Sequence, residues 1–192
     1  PTTQEIKAAR IFEEPLIPVW GEPTAEDNKV LADALISFAK RNKPDDFSAL
    51  ESFLDSPFSV QWYPSLLFCL GSEYFHTGYF SKALDAWEEV WFWLQDETEP
   101  GARALADRAL GEVAKMHARI GGTDRLEELL QQIGDRRLSG PATELISGAK
   151  QALWLMKTRP DISFRCGSLA LRNVCKILRP GGDVDPISHE TY

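Results

Sequence analysis

Long apolar runs are scarce in this 192-residue chain: Ser65–Leu70 and Val90–Leu94 fall far short of the ~18 residues that a membrane-crossing helix needs. The opening Pro1-Thr-Thr-Gln-Glu5 is polar and no apolar region follows it, so no signal peptide is read. Membrane insertion is therefore not expected, and the cytoplasm is the expected compartment for the chain as given. Basic charge is also in short supply. The 21 Lys and Arg against 29 Asp and Glu leave a net charge of −8, the wrong sign for a nucleic-acid partner, whose phosphates call for a basic face. Cysteine is sparse: Cys69, Cys166 and Cys175 form no CxxC pair and no disulfide framework. His76, His117 and His189 each lack a second ligand three or four residues away, so neither a metal site nor a cofactor is expected.

What is present is an ordinary globular balance, 43% hydrophobic and 26% charged, with no long linker to divide it. Apolar residues recur at helical spacing. Val30, Leu31, Ala34, Leu35, Phe38 and Ala39 predict a helix over 25–42, and Phe47, Leu50, Phe53 and Leu54 a second over 45–55. Pro64 suits a first turn, which predicts a helix to His76; Thr77-Gly78 makes a turn, and Phe80 to Gln95 form the next helix. Acidic residues 96–99 followed by Pro100 mark the start of a long helix to Ile120, broken by Gly121-Gly122. Thr123 or Asp124 can cap a shorter helix to Ile133. Gly140-Pro141 opens another to Lys157, and Ser163 can cap a last one to Leu178. No strand pattern stands out. Helices joined by short turns form antiparallel hairpins, which invites a search for repetition.

Residues 70–91 read LGSEYFHTGYFSKALDAWEEVW. Gly71 and Ala83 are small enough to let two helices approach closely, and Tyr74, Phe80 and Trp87 can fill the space around that contact. Each large ring buried contributes roughly 2–3 kcal/mol. This stretch resembles the tetratricopeptide repeat: Leu70-Gly71, Tyr74, Gly78, Phe80, Ala83 and Trp87 match its pattern. Val90 stands where a second alanine is usual, and Pro100 comes late for the closing proline. A shift of 34 residues towards the start puts Ala49 and Phe53 on Ala83 and Trp87, with Ile36-Ser37 for the Leu-Gly pair. A shift of 40 the other way puts Leu110-Gly111 on Leu70-Gly71, with Leu126 and Leu130 in the second helix; the last hairpin keeps Gly148 and Ala170. One hairpin cannot bury its own apolar faces, so several stack.

The resemblance implies an all-α, right-handed superhelix of antiparallel helix hairpins (25–55, 62–95, 99–133 and 141–178) spanning residues 24–180. An irregular segment, 1–23, lies against this body, and a flexible tail, 181–192, follows it. In that family the first helix of each hairpin lines a concave groove that binds a protein or an extended peptide. The matching positions are Ser65, Phe68, Ser72, Phe75 and His76 in the central hairpin and Arg108, Glu112 and Lys115 in the next. Phe68 and Ser72 stand where some members carry the lysine and asparagine that clamp a C-terminal carboxylate, so a receptor of that type is not expected. Arg103, Asp107, Arg108, Glu112 and Lys115 are expected to form an exposed, mutually paired helix face. Trp87, Trp91 and Phe92 are expected in the core, with Trp93 the one least suited to it and available to a partner.

One further motif carries chemistry. Phe164-Arg-Cys-Gly-Ser-Leu-Ala-Leu171 sets Cys166 at a helix start, where a thiol pKa falls. The run is similar to the Cys-Gly-x-x-Ala-Leu nucleophile motif of papain-like bacteriocin-processing peptidases. That resemblance implies an alternative, the N-terminal part of a larger cysteine-peptidase-like enzyme. Only 26 residues follow Cys166, and His189 is the one histidine among them, so the expectation for this chain is a binding protein without catalysis.

Overall fold

A computed structural model describes residues 1–163; Cys166, Cys175, His189, the expected helix over 163–178 and the tail 181–192 lie outside the described residues. The described residues form helices and contain no strand: α1 (Thr3–Ala8), α2 (Ala25–Ala39), α3 (Ser48–Leu54), α4 (Tyr63–His76), α5 (Phe80–Leu94), α6 (Pro100–Ile120), α7 (Thr123–Ile133), α8 (Pro141–Thr158) and α9 (Pro160–Ser163); a long irregular stretch joins α1 to α2. Among them no helix is long and apolar enough to cross a membrane.

Local chemistry explains most boundaries. Pro100 begins α6 and the Glu99 carboxylate caps it, accepting the Ala102 N–H at 2.8 Å. Gly121 ends α6 with φ +74°, and Gly78 turns the chain between α4 and α5 with φ +89°, a left-handed geometry that glycine adopts without steric cost. Two helix limits differ from expectation. The α2 helix stops at Ala39, where the Arg41 guanidinium satisfies the Phe38 carbonyl at 3.0 Å. The α3 helix starts at Ser48, because the Asp46 carboxylate accepts the Ser48 N–H in a turn that precedes the helix. A third difference is α1. It lies within the expected irregular segment and is secured by a reciprocal cap between Thr2 and Glu5.

Helix α4 packs against α5, α5 against α6, and α6 against both α7 and α8. A single core runs through them, from Leu31, Leu50 and Trp62 through Leu66, Leu70, Trp87 and Val90 to Leu110 and Leu126. At the α4–α5 seam Gly71 and Ala83 are both buried. A Cβ on Gly71 would lie 2.7 Å from Trp87 Nε1, so the glycine leaves room for the indole. The indole N–H in turn donates to the Phe68 carbonyl at 3.3 Å. Tyr74 is buried and donates its phenol hydrogen to Glu51 on α3, which also receives Lys82 of α5 at 3.1 Å.

Three expected packing roles turn out differently. Phe80 is half exposed; it touches the edge of Phe75 instead of sealing the seam. Gly111 faces α8 and not its own hairpin partner α7: a Cβ there would come within 2.9 Å of Leu145 and 3.3 Å of the Ala142 backbone. Gly148 opens onto empty space.

Candidate peptide-binding groove

Helices α4 and α6 run parallel and in register. The Arg108 guanidinium lies 5.5 Å from the Phe68 ring, and seven residues further along each helix the Lys115 ammonium lies 5.5 Å from the Phe75 ring. Seven residues are two helical turns, so the same face recurs. Arg119 extends it, 5.6 Å from the other reach of Phe75. The face therefore alternates aromatic rings from α4 with cations from α6, a pairing that is favourable in itself. The expected positions Ser65, Phe68, Ser72, Phe75, His76, Arg108, Glu112 and Lys115 fall on these two helices. A recess of about 80 Å³ brings Phe68, Ser72, His76, Arg108 and Glu112 together.

The expectation of an open groove needs correcting, because the chain covers half of this face itself. Residues 12–19 run antiparallel to α4, bending through 12–14 and straightening over 15–19. The Val19 N–H donates to the Gln61 carbonyl at 2.7 Å, and the Ile17 N–H donates to Ser65 Oγ at 2.9 Å. The Cys69 thiol reaches the Glu14 carbonyl at 3.8 Å. Gln61 lies in the turn that leads into α4, and Ser65 and Cys69 are one turn apart on it, so the segment steps along the start of that helix. Leu16 and Val19 point into the core. The Glu14 carboxylate receives both terminal nitrogens of Arg108 in a two-pronged ion pair. Phe12 lies 5.6 Å from Phe38 of α2. In consequence Ser65 and Phe68 are buried, at 1% and 3% exposure, and are not open to solvent. Phe75 is half buried and His76 exposed, beyond the covered stretch.

The charges on this face are matched locally. Glu112 pairs with Lys115, and Glu73 pairs with Arg41 at 3.3 Å. Burial lowers the Arg108 pKa from its usual value, and Glu112 opposes that shift. Burial pushes the Cys69 thiol up to about 12, so it is an inert core group at neutral pH.

The expected exposed charged face of α6 also needs correcting at Asp107. It is 1% exposed, accepts Arg136 Nε at 2.8 Å, and accepts the backbone N–H and hydroxyl of Ser139 at 3.2 Å. It thus pins the loop between α7 and α8. On α5, Trp87 and Trp91 are buried, while both Phe92 and Trp93 are exposed. Trp93 meets the edge of Trp20 at 6.5 Å, and Trp20 donates its indole N–H to Glu97 at 2.7 Å. His117 is buried against Glu88 at 3.1 Å. Among the described residues no group of three or more His, Cys, Asp or Glu is placed to hold a metal ion.

The residues that sequence reasoning missed are Phe12, Glu14, Ile17 and Arg119. Glu13-Glu14 stands directly before the apolar run Pro15-Leu-Ile-Pro-Val-Trp20, and two carboxylates beside so much apolar surface are the one local hint that a cation waits elsewhere. No family model, curated protein or solved structure matches the chain.

Proposed function

We propose that this chain is a non-enzymatic scaffold of the tetratricopeptide type. Its hairpins stack as a right-handed superhelix, and the face shared by α4 and α6 holds an extended peptide or protein segment. The observation that carries this reading is the stretch 12–19, extended over 15–19 and seated on that face through backbone hydrogen bonds and one charged fork. A surface that binds one extended segment by its backbone has the chemistry to bind another, since backbone groups are common to all peptides. The close approach of α4 and α5 at Gly71 supports the same reading, because that glycine and Ala83 are the small positions of the repeat pattern. The uncovered end, Phe75 with Lys115 and Arg119, offers an aromatic and cationic ledge.

The test is enrichment of a displayed library of extended peptides on the full chain, compared with Phe75→Ala and Lys115→Glu. The expected result is a recurrent motif whose binding both variants weaken at least tenfold. Absence of any enriched motif, or a motif indifferent to both substitutions, refutes the reading.

A further inference from the structure

The covering segment is more than a lid, because its chemistry describes a ligand. It offers the groove one carboxylate, Glu14, then a proline, then aliphatic side chains, of which Leu16 and Val19 are buried. The groove answers with a guanidinium, a hydroxyl that accepts an N–H, and apolar walls. The chain as a whole carries −8, yet its groove turns Arg108 towards the Glu14 carboxylate of this stretch, with Lys115 and Arg119 further along at the uncovered end.

We infer that residues 12–19 are an internal copy of the ligand: the groove takes an extended peptide with a carboxylate followed by proline and aliphatic residues, and that peptide binds by displacing the chain's own segment. The inference deepens the scaffold reading and rests on it.

Three observations favour exchange over a permanent fixture. First, a cleft of about 590 Å³ adjoins the segment's N-terminal half, lined from Ile6 on α1 through Arg10 and Phe12 to Leu16. Second, it joins α2 through a hinge. Among the described residues Trp20 is the non-glycine residue with positive φ, +65°, and Gly21 follows at +121° with nothing within 4 Å of where a Cβ would be. Third, simple opening is disfavoured, whereas exchange is not. Opening alone would strip Arg108 of its partner and bare Phe68 to water. A peptide of like chemistry restores both contacts as the segment leaves. The tether holds the segment at an effective concentration on the order of millimolar, so a free peptide competes at a disadvantage that weakening the segment removes.

The experiment uses the full chain and a fluorescent peptide with the sequence of residues 9–20. Fluorescence anisotropy gives its affinity for wild type, Glu14→Arg, the milder Glu14→Gln, and Arg108→Glu. Peptide-resolved mass spectrometry follows iodoacetamide labelling of Cys69, which lies under Glu14. Circular dichroism confirms that each variant is folded. The expected result is at least tenfold tighter peptide binding by the Glu14 variants than by wild type, with faster Cys69 labelling. Arg108→Glu should show no binding, and a peptide carrying arginine at the Glu14 position should restore it. Folded Glu14 variants that keep Cys69 protected would show the segment to be fixed core. Variants that expose Cys69 but bind no peptide would show that the groove does not take this chemistry. Either result overturns the inference, while the scaffold reading is judged separately by the Phe75→Ala library result.

Discussion

Replacing Gly71 with alanine tests the seam that joins α4 to α5. The added methyl would sit 2.7 Å from Nε1 and 2.9 Å from Cδ1 of Trp87, closer than side-chain carbons approach their neighbours. Overpacking of this kind costs about 1–3 kcal/mol. Pushing the indole aside also breaks its hydrogen bond to the Phe68 carbonyl, worth about 1 kcal/mol. Helix propensity acts in the other direction and favours alanine by about 1 kcal/mol. The central values leave a destabilisation of about 2 kcal/mol, and a domain of this size loses about 2–4 °C per kcal/mol, so Tm should fall by about 4–8 °C. Differential scanning calorimetry measures it. Gly148→Ala is the matched control: nothing lies within 4 Å of its Cβ, so only propensity acts and Tm should rise. Adding Trp87→Phe to Gly71→Ala should cost less than the two single losses together, because the smaller ring makes room for the methyl. A Gly71→Ala protein as stable as wild type would refute the account of the seam.

Two further outcomes follow from the titrating groups. The Glu51 carboxylate is held below its usual pKa, chiefly by the Tyr74 hydroxyl and, after burial has opposed it, by Lys82. A carboxylate with a depressed folded pKa adds stability above its unfolded value of about 4.5, and that stability is lost as pH falls through the folded value. Glu51→Gln should therefore flatten the decline of urea stability below pH 4.5 by less than about 1 kcal/mol, since the site is partly exposed; parallel wild-type and variant curves would contradict this. Cys69, with its thiol pushed up to about 12, should resist iodoacetamide at pH 8 in the native protein and react at once in concentrated urea. Rapid native labelling of Cys69 in wild type would mean that its cover is already open.

The elements most legible in the sequence were those with chemical punctuation at both ends. Helix α6 falls where Glu99-Pro100 and Gly121-Gly122 mark it; α7 has its expected limits, although Gly122 stands at its N-cap and neither Thr123 nor Asp124 caps it. The short helix α1 has a capping box in its sequence, but with Ile6 as its one large apolar residue it shows no periodicity. Asp107 was misplaced for a different reason. Its spacing along α6 matches an exposed ion-paired row, and the guanidinium that buries it comes from Arg136, 29 residues away. The candidate groove was legible as a pair of helix faces, Phe68 to Phe75 and Arg108 to Lys115. That residues 1–23 lie against the body was legible too, but their seat on this face was not, because helical spacing encodes neighbours along one element, whereas Glu14 meets Arg108 across the fold.

The pairing of Glu14 with Arg108 spans 94 residues, and this separation orders events during synthesis. At about 5–20 residues per second, the covering stretch leaves the ribosome roughly 5–20 seconds before α6 exists to receive it. Throughout that interval Ile17 and Val19 can meet Ser65 and Gln61, but Glu14 has no guanidinium to hold it. A contact at the start of the chain is thus among the last to form, and a newborn molecule passes through a stage in which the stretch touches α4 while its Glu14 end is still unpinned.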